Sequence, residues 1–256
     1  MKIVVKVGTS TLTHATGLIN IRHIELLCKV ISDIKNTGHD IVLVSSGAIG
    51  MGVGKLKLKK RPEDLASKQA AAAVGQCELM YTYDKLFSEY NHTSAQILIT
   101  DDDVADQERK TNFVNTLRRL LELDVIPIIN ENDTVATHQI VLGDNDTLSA
   151  IVASSISADL LIILSDVNGL YDKDPRSDAD AKLIPTVAEI TPEIVKLGGS
   201  AGSALGTGGM ATKIKAAQIA AEVGCDTVIA NGTDPMILYN ITDGEQIGTR
   251  FLGKQK

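Results

Sequence analysis

Two lysines far apart in the chain stand beside stretches of small residues. Lys6 interrupts the apolar run IVVKV and is followed by Gly8, Thr9 and Ser10, and Lys213 closes GTGGMATK, residues 206–213. An ammonium group inside an apolar strand is costly to dehydrate unless an anion meets it. Small-residue turns at strand and helix ends leave backbone N–H groups facing such an anion. A lysine snorkelling from a strand end is the other reading of Lys6. Gly206, Gly208 and Ala211 also match the GxGxxA form of a dinucleotide fingerprint, but KLGGSAGSAL precedes them where a strand should. The stretch then offers an anion site at a helix N-terminus with Lys213 one turn in, most naturally for phosphate. With Asp146 as the carboxylate that holds both lysines, the set suits phosphoryl transfer, which asks for positioning and cations more than covalent chemistry.

Other candidates carry two readings each. Ser46 and Gly47 end a strand and open GAIGMGVG, as donors to an anionic ligand or as a simple helix N-cap. That stretch has neither Walker A spacing nor the glycine of a nucleophile elbow. Asp101, Asp102 and Asp103 invite a metal reading, but they precede a helical pattern whose N-terminus favours acidic residues. Asp133 lies in ENDT and Asn145 and Asp146 in GDND, on either side of VATHQIVL, which reads as a hairpin with His138 on its surface. Both clusters follow buried elements on the side that Lys6 faces.

The elements that must position these residues follow from periodicity. Residues 3–7, 41–46, 95–100, 125–130, 158–166 and 226–231 read as buried parallel-type strands, with a last short one near 248–252. Helical spacing marks a helix capped by Asn20 and closed by Gly38, a long one over 66–90, one after Asp103, one over 147–157 and one opening at GTGGMATK and stopped by Gly224. The small-residue face of the long helix could meet its own sheet or a second subunit. Residues 169–185 read as an excursion over one sheet edge. Ligands of such sheets bind outside the carboxyl ends of the strands.

Composition narrows the field further. At 256 residues the chain can bury a substantial core. Aromatic residues are 3% with no Trp, so the core is aliphatic and platforms for stacking bases are lacking. A net charge of −7 argues against a nucleic-acid partner. Cys28, Cys77 and Cys225 form no CxxC pair, and no apolar run approaches a membrane span, so a cytoplasmic enzyme is expected.

The segments KVGTS, SSGAIG, INEND, LGDND, LSDVNGLYDKDPR and GTGGMATK resemble, in order and approximate spacing, the glutamate 5-kinases of the amino acid kinase family. Aspartokinases, which open on KFGGTS, are resembled less. The resemblance implies a three-layer αβα sandwich on a mostly parallel sheet of about eight strands. It implies a single kinase domain over 1–256, with a glutamate-binding part over about 1–155 and an ATP-binding part over about 156–256, and a short form without the C-terminal PUA domain of many bacterial members. It further implies Ser46, Gly47, Asp133 and Asn145 at the glutamate site. ATP falls to Lys6, Gly8, Ser165, Asp166 and the run Thr207, Gly208, Gly209, Met210, Ala211, Thr212, Lys213. Lys6, Lys213 and Asp146 would be catalytic. The expected reaction is ATP- and Mg²⁺-dependent phosphorylation of the glutamate side chain, the first step of proline biosynthesis, with the metal's protein ligands unassigned. A homo-oligomer and feedback inhibition by proline are compatible with the resemblance. Alternatives are a sister kinase acting on another carboxylate or a carbamate, and a catalytically silent amino-acid-binding regulator, against which the retained lysines speak. A nicotinamide oxidoreductase is the weakest.

Overall fold

Eight strands join in a single sheet in the computed structural model, which describes residues 1–14, 16, 18–135, 145–175, 177–178, 180–200 and 209–254. In chain order the elements are β1 (Lys2–Val7), α1 (Thr9–Leu12), α2 (Ile21–Asn36), β2 (Asp40–Ser45), α3 (Ala48–Lys55), α4 (Leu65–Ser88), β3 (Ser94–Ile99), α5 (Asp101–Ala105), α6 (Gln107–Glu122) and β4 (Ile126–Glu131). There follow α7 (Asn145–Ile156), β5 (Leu160–Ser165), β6 (Thr186–Val187), α8 (Pro192–Leu197), α9 (Met210–Ala221), β7 (Asp226–Asn231), α10 (Ile237–Thr242) and β8 (Thr249–Phe251). The strand order is β3-β4-β2-β1-β5-β7-β8-β6, parallel throughout except for the antiparallel β7–β8 pair. The expected three-layer sandwich is thus present.

Period-two alternation divides the core. Ile3, Val5 and Val7 of β1 face α2, α4 and α10, where Leu27, Ile31, Tyr83, Phe87 and Leu238 are buried. Val4 faces the other layer, with Val44, Ile163, Leu117 of α6, Leu148 of α7 and Ile214 of α9. Both faces of the central strands are covered, which is why they read as continuous apolar runs. Each fully buried Ile or Leu stabilises the fold by about 1.5–3 kcal/mol relative to exposure. Lys6 has the parity of Val4 and lies in register with Val44 and Ile163, so its side chain enters the α6–α7–α9 layer. From β1 the chain builds outward through β2 to β3 and β4 on one side, then returns by α7 to add β5 on the other side of β1, and that reversal opens a crevice at the strands' carboxyl ends.

Local signals set the helix ends. The Asn20 side chain accepts from His23 N–H and caps α2, and Gly38 and Gly224 take positive φ where chains leave helices. The Asp101–Asp103 run opens α5 in a capping box with Thr100, the helix reading of those carboxylates. Beyond the expected elements the structure has α1, where Gly8, Thr9 and Ser10 read as a turn, and α8, α10 and the two-residue β6, all too short for a periodic signal. The excursion after β5 contains an antiparallel bridge between Tyr171 and Leu183. The hairpin expected over 135–142, with His138, lies almost wholly outside the described residues.

Candidate active site at the carboxyl ends of β1, β2, β4 and β5

Asp146 stands in the first turn of α7 and is wholly buried. Lys6 Nζ lies 2.6 Å from its Oδ1, and Lys213 Nζ lies 3.0 Å from its Oδ2. Thr212 Oγ donates to the same Oδ2 at 2.9 Å. The lysines are only 8% and 5% exposed, so three charges sit out of bulk water and their interactions are weakly screened. Burial by itself would raise the Asp146 carboxyl, but the two ammonium groups outweigh it and hold it at about 2. The carboxylate is therefore ionised at neutral pH and works as a bracket for two cations. Three elements supply the trio: β1 through its inward parity, α7 through its first turn and α9 through residues 212 and 213. N-termini of α7 and α9 both point at this place and add positive potential.

The neighbouring residue, Asn145, turns the other way. Its Nδ2 donates to Ser46 Oγ at 2.7 Å, Asn130 Oδ1 at 3.0 Å and the Ser45 carbonyl at 3.2 Å. Gly47 caps α3 at φ 105°, a left-handed conformation that a β-carbon would strain, and so lets the chain turn directly from Ser46 into the helix. Gly52 and Gly75 let α3 and α4 cross in backbone contact, since an added Cβ would fall 1.8 Å from the carbonyl oxygen of Ala71 or Ala48. The small residues of α4 thus meet α3. Asp133 sits half-buried in the turn after β4. Burial pushes its carboxyl above the usual range, opposed by the field of the Arg61 guanidinium.

Every described residue of the sequence-predicted set lies at an element end or helix start. Gly8 caps α1, and a Cβ there would come within 3.8 Å of Lys6 Nζ. Ser165, buried, and Asp166, exposed, end β5, with a 3.2 Å bond from Ser165 Oγ to Asp166 Oδ1. Gly209 caps α9, and Met210 and Ala211 fill its first turn. Thr207 and Gly208 lie outside the described residues. Helix α7 begins at Asn145, earlier than periodicity suggests, so Asn145 and Asp146 are helical first-turn residues on two sides of one helix end.

Sequence reasoning missed Asn130, Gln76 and Tyr83. Asn130, next to last in β4, donates its Nδ2 to Gln76 Oε1 at 2.9 Å, and Tyr83 shares a 2.9 Å hydrogen bond with Ser45. The available signal was an amide and a tyrosine seven residues apart, two helical turns, following a run of small residues. No group of three or more His, Cys, Asp or Glu that could hold a metal occurs among the described residues.

The model of the amino acid kinase family matches residues 1–231. A glutamate 5-kinase of Clostridium perfringens is 54% identical over 258 residues, covering 99% of this chain and 96% of that protein. Among solved structures, the product complex of an isopentenyl phosphate kinase from T. acidophilum has a TM-score of 0.66 at 18% identity, covering 98% of this chain and all of that one. A carbamate kinase of Giardia lamblia bound to AMP-PNP has a TM-score of 0.69 at 14% identity, covering 98% of each chain. At these identities the two structures speak for the shared fold.

Proposed function

The chain belongs to the amino acid kinase family, and from that premise we infer that it acts as a glutamate 5-kinase, transferring the γ-phosphoryl group of ATP to the side-chain carboxylate of L-glutamate, the first step of proline biosynthesis. The observation that carries the reading at the level of chemistry is the meeting of Lys6 and Lys213, from opposite ends of the polypeptide, on one buried carboxylate.

The acceptor carboxylate, with an ordinary pKa near 4.3, is already ionised at neutral pH, so no general base is required. The obstacle is the approach of two anions. Lys6 and Lys213 draw the acceptor and the migrating phosphoryl group together, and Asp146 holds both ammonium groups in place. Removing such a cation is expected to cost about 3 kcal/mol of transition-state stabilisation. Backbone N–H groups at Gly8 and at Gly209 to Ala211 take phosphate oxygens, and Ser165 and Asp166 meet the nucleoside. Ser46, Gly47 and Asn145 hold the glutamate, and Asp133 meets its α-ammonium group. A carboxylate that burial has left poorly hydrated is stabilised by an arriving ammonium group, which supports that last role.

The described donor set suits Mg²⁺ only as a passenger on the nucleotide. Asp146 is already engaged by two lysines, and no acidic cage stands beside it among the described residues. Phosphate oxygens and water would be its main ligands, and it would supply charge neutralisation on the β- and γ-phosphates. We read residues up to about 155 as the glutamate half and the remainder as the nucleotide half, divided at the β1–β5 reversal. No helix among the described residues is long and apolar enough to cross a membrane. A cytoplasmic setting is part of the proposal, supported by three unpaired cysteines. Exposed Tyr81, Leu56 and Leu58 support a homo-oligomer. Proline, which shares the carboxylate and ammonium of glutamate, fits as an inhibitor at the same residues. The direct test is capture of glutamyl phosphate by hydroxylamine from glutamate, ATP and Mg²⁺; ATP hydrolysis without hydroxamate, or hydroxamate from acetylglutamate instead, would overturn the reading.

A further inference from the structure

Gln76 lies in the middle of α4, 8% exposed, and its amide is committed in an unusual way. Its Oε1 accepts from Asn130 Nδ2, while its own Nε2 is buried with no hydrogen-bond partner among the described residues. A buried donor left unpaired is unfavourable, and a Leu or Met of similar size would avoid it. The acceptor end must therefore matter more than the orphaned donor end.

Three amides in series explain why. The backbone N–H of Glu131, which cannot reorient, donates to Asn130 Oδ1 at 2.9 Å and fixes which end of that side chain points inward. Asn130, 2% exposed, then needs an acceptor for Nδ2, and Gln76 provides it. With Oδ1 so oriented, Asn130 accepts from Asn145 Nδ2, and Asn145 in turn donates to Ser46 Oγ. A Ser46 oxygen that accepts from Asn145 keeps its own hydrogen for another partner. That is the polarity a carboxylate requires. Reversal of the Asn145 amide would set its carbonyl against Ser45 O and Asn130 Oδ1 and would draw the Ser46 hydrogen inward.

We propose that Gln76 is a positioning residue for the amino-acid site, fixing through Asn130 the amide sense of Asn145 and hence the outward donation of the Ser46 hydroxyl. The proposal rests on the glutamate reading of Ser46 and Asn145. Its anchoring is mechanical as well as polar. Gly75, the preceding residue, is pressed on the Ala48 carbonyl of α3, and α3 starts two residues after Ser46, so Gln76 and Ser46 belong to one rigid crossing. Tyr83, two turns on along the same helix, bonds Ser45 from the same side.

The test compares wild type with Gln76→Met, Asn145→Ala and the double variant, measuring kcat and KM for glutamate and for ATP by hydroxamate capture. Gln76→Met keeps the volume and removes the acceptor. It is expected to raise the glutamate KM roughly tenfold, about 1.4 kcal/mol, with the ATP KM within roughly twofold. In the double variant it should add almost nothing to Asn145→Ala, because both act on one chain of contacts. Gln76→Glu, which keeps an acceptor for Asn130, should hold the glutamate KM within about threefold of wild type, and Gln76→Leu, which also lacks the acceptor, takes the place of the methionine variant if that does not fold. An unchanged glutamate KM, a parallel rise in both KM values, or effects that multiply in the double variant would each overturn the relay. Wild type that forms no hydroxamate would remove the glutamate reading and the relay together, whereas active wild type with indifferent Gln76 variants would remove the relay alone.

Discussion

Replacing Asp146 by Asn keeps shape and hydrogen-bonding capacity but deletes the charge that two buried ammonium groups share. With nitrogens 2.6 and 3.0 Å from the two oxygens of one carboxylate, the cations stand close together. At a separation of roughly 5 Å and an effective dielectric of about 20, their mutual repulsion is about 3 kcal/mol, previously more than offset by two attractions at shorter range. Relief can come from deprotonation of one lysine, from its swinging toward solvent, or from loss of fold stability, expected at about 3–5 kcal/mol when one partner of a buried pair is removed. Either of the first two takes a cation off the transferring phosphoryl group, so kcat should fall by about 10²–10³, while the glutamate KM, set by Ser46, Asp133 and Asn145, moves far less. Hydroxamate formation under saturating ATP reads kcat, and a thermal melt read by circular dichroism tracks folding. A second signature is the pH dependence of stability. The folded-state pKa of Asp146 is depressed to about 2, so its contribution of about 2 kcal/mol is fully present above the unfolded value near 3.9 and is lost as pH falls through about 2. That component should be missing from the Asn variant. A folded Asp146→Asn protein with kcat within threefold of wild type would refute the bracket role.

Four further outcomes are expected. Lys213→Ala should lose about 10²–10³ in kcat while glutamate still binds, as seen by isothermal titration calorimetry; unchanged turnover would sink the assignment. Asp133→Asn should raise the glutamate KM about tenfold or more, and in wild type that KM should climb as pH is lowered into the raised titration range of Asp133, since only the ionised form holds an ammonium group; a flat profile would argue against the role. Gly75→Ala forces a β-carbon to within 1.8 Å of the Ala48 carbonyl, so urea unfolding should show at least about 1–3 kcal/mol of destabilisation. Asp103→Ala removes one half of the Thr100 capping box and should cost about 1 kcal/mol of stability without altering the Mg²⁺ dependence of turnover; a shifted Mg²⁺ requirement would revive a metal role for that acidic run.

Much of the molecule is legible from residue order because its signals are local. Apolar runs as uniform as IVVKV and LLIILS can only be buried on both faces, and that implies a parallel sheet clad by helices. Asn20, Gly38, Gly224 and the acidic start of α5 act within one turn of themselves, so their caps could be read before any fold was known. The two lysines were conspicuous for a similar reason: a charge in apolar or glycine-rich surroundings conflicts with its neighbours, and such conflicts mark sites. Short pieces such as α8, α10 and β6 left no period to detect.

Which atoms meet was decided by register and packing. Lys6 reaches Asp146, 140 residues on in the sequence, because its parity on β1 sends it into the same layer as α7 and α9, in a register held by pairing with β2 and β5. Asn145 and Asp146 are adjacent in sequence yet serve different halves of the site, since a helical step of about 100° turns one toward Ser46 and the other toward the lysines. The role of Gln76 was invisible in the alanine-rich run around it, because hydrogen-bond sense is a property of a three-dimensional circuit in which one backbone N–H, that of Glu131, fixes every amide after it. Residue types determined what chemistry was available to this chain; only the folded arrangement determined which groups face one another and with which end.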